Sequence, residues 1–293
     1  MQYKIVHKTN YQYESPASFS QNILKLIPRE TSLQQQISST ISIFPEADVV
    51  NDYKDYFGNK TTYFAIQDEI DFLDITVTSY VTKNVAVISP PEGCHISWEQ
   101  ALLALSTNTA ANIEAKQYVP ATSLTAYNAA IHAYAFESFT PGRSLYSATE
   151  ELMYRIFRDF KFQAGFTTVT TPAIEIIQNK TGVCQDFAHF AIACLRAFGL
   201  PARYISGYIE TIPPPGMPKL IGVDASHAWF AVYIPNAGWF EFDPTNNQVP
   251  NKQHIVVGWG RDYLDIAPLK GVLHSLGHHH LNVSVDVQSS DIS

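Results

Sequence analysis

Along the first 85 positions, side-chain character repeats every second residue: Tyr3-Ile5-His7, Ile41-Ile43, Thr62-Phe64-Ile66 and Leu73-Ile75-Val77. A period of two is that of a strand with one face covered. Turn-forming residues punctuate the runs at Glu14-Ser15-Pro16, Pro28-Arg29, Phe44-Pro45-Glu46 and Phe57-Gly58-Asn59. Short strands so spaced predict an all-β, antiparallel sandwich-like domain over residues 1–88. Ser89-Pro90-Pro91-Glu92-Gly93 then reads as a linker.

The pattern changes to a helical one beyond it. Ser97-x-x-Gln100 and Ser147-x-x-Glu150 fit capping boxes, predicting helix starts near 98 and 148. Asn128 to Phe136 has helical character and stops at Pro141-Gly142. Thr171-Pro172 predicts an N-cap with proline at the first helical position, opening a short helix through Ile177. A longer apolar helix is expected from Cys184 to Phe198, with Gly199 terminating it and Pro201 beyond.

Strand character returns from Ala202. Tyr204 to Ile209 forms one run, followed by the loop Pro213-Pro214-Pro215-Gly216. His227 to Ile234 and Gly238 to Phe242 flank Pro235-Asn236-Ala237 as a hairpin. The tail Leu281 to Val287 alternates and should pair into a sheet; His278-His279-His280 is expected as a solvated turn before it. These runs predict an α+β chain, with 95–293 as a second domain that keeps the C-terminal strands.

Composition narrows the function. Of 293 residues, 46% are hydrophobic and only 16% charged, so the chain can bury enough apolar surface to offset its ordering entropy. A net charge of −8 argues against a nucleic-acid binder, which needs a basic stripe to displace counterions. No run approaches the ~18 apolar residues of a membrane helix, and the N-terminus lacks the basic-then-apolar order of a signal peptide. Three cysteines, Cys94, Cys184 and Cys194, form no disulfide framework, so a reducing, cytoplasmic setting is expected.

Three positions carry candidate chemistry. Cys184 should sit in the first turn of its helix, where unpaired N–H groups and the helix dipole favour an anion. His227 opens a strand at Ser226-His227-Ala228-Trp229, and Asp243 closes the next at Phe242-Asp243-Pro244. A thiol, an imidazole and a carboxylate to orient it are the parts of cysteine acyl transfer. His227 faces Asp243 directly if Val232 pairs with Gly238; a two-residue turn at Asn236-Ala237 would put them on opposite faces. Each also has a plainer reading, as a core thiol, a structural histidine and a turn former. Cys194, in an Ala-Cys-Leu stretch, is read as core. Cys184, His189 and Cys194 are five apart, ~140° of helix rotation per step, and cannot converge on one ion; no metal or cofactor is expected.

The runs Gly182-Val183-Cys184-Gln185-Asp186-Phe187-Ala188-His189, Gly199 to Tyr208, Asp224-Ala225-Ser226-His227-Ala228-Trp229 and Gly238 to Asn246 strongly resemble the transglutaminase-like superfamily, and its bacterial cysteine-peptidase-like branch in particular. Tyr11-x-Tyr13-x-x-Pro16, Leu26-x-Pro28-Arg29 and Asp55-x-Phe57-Gly58-Asn59 resemble that branch's N-terminal β-region, and Gly260 to Gly271 its C-terminal segment, save for Leu269-Lys270 where Val-Arg is expected. The likeness is weakest over 85–145. It implies a papain-like core, helices on an antiparallel sheet, with Cys184, His227 and Asp243 as catalytic residues. The implied reaction is attack on a peptide, isopeptide or glutamine carboxamide carbonyl, with a peptide or protein as substrate.

The Cys184 backbone N–H is then the first oxyanion donor. Gln178 has the spacing of the papain glutamine but equally that of a solvated helix residue, and Gln163 is comparable. Gln185 and Asp186 belong to the motif, Asp186 equally as a first-turn helix stabiliser. Trp229 and Trp239 would flank the site as packing or as substrate walls, and His189 sits near the opposite side of the helix. Hydrolysis is expected over cross-linking, because no amine-acceptor site or calcium loop is marked. The alternatives are a non-catalytic protein- or peptide-binding module on the same fold and an acyl-CoA-dependent transferase. No feature sets an oligomeric state.

Overall fold

The computed structural model describes residues 1–84, 94–211, 225–274 and 277–290. The linker at 89–93 and the Pro213–Gly216 loop lie outside these residues. Six strands come first: β1 (Gln2–Ala17), β2 (Ser20–Leu24), β3 (Gln34–Phe44), β4 (Val49–Lys54), β5 (Lys60–Ile66) and β6 (Ile70–Lys83). Helices α1 (Trp98–Leu105), α2 (Ala110–Lys116), α3 (Ala129–Phe136) and α4 (Leu145–Asp159) follow. The two-residue strands β7 (Lys161–Phe162) and β8 (Thr181–Gly182) bracket α5 (Ala173–Asn179), and α6 (Cys184–Ala197) comes next. Strands β9 (Ala202–Ile209), β10 (Ala225–Ile234), β11 (Gly238–Phe242), β12 (His254–Gly260), β13 (Leu269–Leu273) and β14 (His279–Ser290) complete the chain, with a 3-10 turn at Tyr263–Asp265. The fold is α+β, as the patterning predicts.

Two four-stranded sheets, ordered β14-β1-β6-β3 and β13-β2-β5-β4, make the N-terminal sandwich. Leu24, Leu26, Phe64, Ile66, Leu73, Ile75 and Val77 fill its interior. The alternation is therefore real, but two details differ from expectation. β1 runs unbroken through Glu14–Pro16, because Glu14 N–H still pairs with His278 C=O at 3.0 Å; the irregularity appears as a register shift against β6 between Gln12 and Ala17. The tail strands belong here spatially: β14 pairs along β1 from Gln2–Ser290 to Tyr13–His279, and β13 pairs with β2. His279 and His280 thus begin a strand instead of forming a turn. An edge strand left with unpaired N–H and C=O groups gains most from such pairing, whatever its distance in sequence.

The third sheet, β11-β10-β9-β12, is covered on one face by α6. Ala228, Phe230, Val232 and Ile234 of β10 meet Phe190, Ala191 and Leu195 there. The helix starts follow the capping logic with shifts. Ser97 and Gln100 form the expected box at α1, whereas α4 begins three residues early, with Ser144 accepting from Ser147 N–H. At α5 Pro172 occupies the cap position, and Thr171 Oγ1 accepts from Thr168 N–H instead.

The sandwich and the third sheet are joined through β12. Tyr3, Ile5, Val285 and Val287 pack against Tyr208, Ile255 and Val257. Two side-chain amides then complete the outer edge of β12. Gln34 takes Val256 N–H at 2.9 Å and gives to its C=O at 2.7 Å, and Asn59 does the same at Trp259, at 3.0 and 2.8 Å. Each amide supplies one donor and one acceptor, as a neighbouring strand would. Arg29 lies 3.6 Å over the Trp259 ring from the same side.

Candidate active site

The start of α6 is set locally. β7 and β8 pair in parallel through Gly182, and Val183 remains extended (φ −120°), so Cys184 is the first helical residue. Asp186 closes the turn by accepting from Val183 N–H at 2.8 Å and from Thr167 hydroxyl at 2.6 Å. A Cβ at Gly182 would lie 2.8 Å from Asp186 Oδ2, so the glycine permits that closure. Burial raises the Asp186 pKa against the pull of these two bonds, and Oδ1 has no partner. The far end of α6 is fixed by Arg196, which is buried and donates to the C=O groups of Tyr118, Ala202 and Arg261 and to Thr125 hydroxyl.

The hairpin that carries the other two residues has a register of its own. Ile234 pairs with Gly238 and Phe230 with Phe242, leaving the three-residue loop Pro235–Ala237 with Asn236 at φ +65°. Neither arrangement considered from sequence is adopted. Asp243 falls across from Trp229, one step diagonal from His227 but on the same face. His227 Nε2 and Asp243 Oδ2 are 2.8 Å apart and both residues are buried. With Nε2 so engaged, Nδ1 is the ring atom left to face the Cys184 thiol, which with Asp243 holds the His227 pKa up. Cys184 is partly exposed, whereas Cys94 and Cys194 are buried free thiols whose pKa values burial raises.

The Asp243 carboxylate is the hub. Oδ1 accepts from Thr245 and Asn246 N–H at 3.0 and 3.3 Å. Oδ2 accepts from His227, from Asn246 Nδ2 at 2.7 Å, and from His254 Nε2 at 3.0 Å. Burial alone would raise its pKa, but bonds from His227, His254 and Asn246 hold it below the usual carboxylate range. For His227, burial works against the charged ring, while the bond to Asp243 and the nearby Cys184 outweigh it and push its pKa up to about 10. A raised folded-state value gives stability fully present below the unfolded value and lost as pH climbs through the folded one. Thermal melts from pH 7 to 10 are therefore expected to fall more steeply for the wild type than for His227→Gln.

The remaining predicted residues separate. Gln185 and Asp186 are buried and hold the 167–169 loop, Gln185 through Val169 C=O at 3.1 Å. Trp229 is fully buried with its indole on Glu241, so it packs and lines no surface. Gln178 is exposed on α5, on the side turned from the α6 core. Gln163 is exposed too, but its backbone N–H bonds Gly182 C=O at 2.9 Å, beside the Cys184 turn. His189 is buried and accepts from Tyr263 N–H at 3.1 Å, tying α6 to the C-terminal segment. His254 was not singled out, since it opens a strand with no local motif around it. Among the described residues, His227, Asp243 and His254 are the group whose donor atoms lie close enough, within 4.8 Å, to meet a metal ion.

Residues 3–82 match the family model of the bacterial transglutaminase-like N-terminal region, and residues 132–244 that of the transglutaminase-like superfamily. An uncharacterized protein of Mycobacterium tuberculosis is 36% identical over 301 residues, spanning 97% of this chain and 92% of the relative. The chain belongs to the transglutaminase-like superfamily. The whole molecule shares its fold with a solved structure. It superposes on the crystal structure of "a Putative Cysteine Protease from Cytophaga hutchinsonii" with a TM-score of 0.78 and 22% identity, covering 100% of this chain and 92% of that one. A more distant similarity, 26% over 140 residues, links 43% of this transglutaminase-like chain to 21% of a protein-glutamine gamma-glutamyltransferase of Pseudomonas aeruginosa. No helix among the described residues is long and apolar enough to cross a membrane.

Proposed function

We propose that this protein is a cysteine-dependent acyl-transfer enzyme that cleaves peptide, isopeptide or glutamine carboxamide bonds through a thioester on Cys184. One observation carries the reading: a partly exposed thiol at a helix start neighbours a buried imidazole that a buried carboxylate holds from behind. Thiolate Cys184 attacks the carbonyl carbon, and the oxyanion is met by the Cys184 backbone N–H, one of the first-turn donors without an intrahelical acceptor. Gln163 is the side chain we assign as second donor, because its backbone is anchored to Gly182. His227 gives its Nδ1 proton to the departing amine as the C–N bond breaks, leaving thioester and neutral imidazole. Water then gives a proton back to His227 as it adds, and collapse releases the acid as the C–S bond breaks, restoring the Cys184 thiolate and the His227 imidazolium. Exposure of Cys184 favours water as acceptor, making hydrolysis the main outcome over transfer to a second amine, the reaction named for the Pseudomonas relative. Three free thiols suit a reducing compartment such as the cytoplasm.

The test is the rate of Cys184 alkylation by iodoacetamide across pH 5–9, read by peptide mass spectrometry in wild type and His227→Ala. The wild type is expected to react well below pH 8 and His227→Ala to lose that acid-side reactivity. Profiles that both follow an ordinary thiol, near ~8.5, would overturn the enzyme reading and favour a peptide-binding module.

A further inference from the structure

The Asp243 hub contains one ring that the proposed reaction leaves unused. β12 lies at the opposite edge of its sheet from β11, so the connection between them carries the chain across the sheet and returns His254 to Asp243. The ring is 1% exposed, packs edge-on to Trp229 at 5.2 Å, and lies 6.0 Å from His227. Its Nδ1 accepts from Asn251 N–H at 3.4 Å. A ring nitrogen that accepts carries no proton, so the neutral ring bears its proton on Nε2, 3.0 Å from Asp243 Oδ2. The strand beneath it is itself held, by the Gln34 and Asn59 amides further along β12.

We infer that His254 is a positioning residue that, as a neutral N–H donor, pins Asp243 Oδ2 from the far edge of the sheet and so holds His227 in line with Cys184. The inference rests on the function proposed above. Without that donor the carboxylate keeps its bonds from the 245–246 turn, which move with Asp243 itself, and from His227, the ring it must orient, and loses the bond that ties it to β12. Titratable groups facing this point are Asp243 and His227 of β10, with Cys184 of α6 beyond His227. Glu241 is engaged by the Trp229 indole.

His254→Phe keeps an aromatic ring of similar size and removes the donor; His254→Gln returns an N–H close to the Nε2 position. In the full chain, His254→Phe is expected to slow iodoacetamide alkylation of Cys184 at pH 6 about tenfold, the lower end for removing an orienting partner. The acid limb of its rate–pH profile should move up by about one pH unit, because a carboxylate no longer held in place supports the imidazolium, and with it the thiolate, less well. His254→Gln should recover most of the rate and the wild-type limb. A folded His254→Phe protein whose profile superimposes on the wild type overturns the inference and leaves His254 as packing. Should His254→Phe not fold, His254→Asn, too short to reach Oδ2, is read by the same two outcomes. Failure of the underlying reading shows separately, as a wild-type profile no different from His227→Ala.

Discussion

Asp243→Asn is expected to lower the alkylation rate of Cys184 at pH 6 by at least about a hundredfold. An amide at this position is neutral and offers one oxygen where the carboxylate now takes five N–H bonds from Thr245, Asn246, His227 and His254. If its nitrogen turns toward His227, the ring must present a bare Nε2 and move its proton to Nδ1, which removes the imidazolium. An unpaired thiol with a pKa of ~8.5 is only ~0.3% thiolate at pH 6, which sets the scale of the loss. On a cleavable amide substrate the loss should be larger, up to ~10⁴-fold, the size seen when a triad carboxylate becomes an amide. Rates measured at pH 6 and 9 separate the two contributions. The deficit should shrink at pH 9, where any thiol ionises, and a deficit equal at both values would mean that Asp243 serves folding alone.

The largest structural effect is expected at Gly207. It sits mid-strand on β9, between His227 of β10 and Val256 of β12. A Cβ there would come within 2.2 Å of Ile255 C=O and 2.5 Å of the Trp229 ring. Neither neighbour can yield, one being backbone and the other a fully buried indole tied to Glu241. Gly207→Ala should therefore cost about 3 kcal/mol, the upper range of overpacking. In a domain of this size that lowers the melting temperature by roughly 6–12 °C. Because Trp229 touches both His227 and His254, folded Gly207→Ala protein should also alkylate more slowly at pH 6. An unchanged melting temperature would show that the sheet opens to admit the methyl group.

Much of this was legible beforehand for identifiable reasons. The alternation of residues 1–83 is enforced by a sandwich with one covered face per sheet, so it survives in the sequence as a period of two. Cys184 could be placed because Gly182, Val183 and Asp186 are contiguous and act within one turn. The α4 cap falls at Ser144 and not at Ser147, because Ser144 offers the same chemistry three residues earlier. The hairpin register was open because Pro235-Asn236-Ala237 is compatible with several loop lengths, and pairing of Phe230 with Phe242 decides among them only when the core is packed.

Sequence by itself determined the α+β character, the helix carrying Cys184, and the thiol, imidazole and carboxylate that the proposed function uses. Each depends on residues close together along the chain, where periodicity, capping and turn chemistry act directly. Tertiary structure alone decided that the tail strands close the N-terminal sandwich, that Gln34 and Asn59 stand in for a missing strand beside β12, and that His254 meets Asp243. Those contacts join segments up to hundreds of residues apart, each satisfying a backbone edge or a buried polar group whose partner no local pattern specifies.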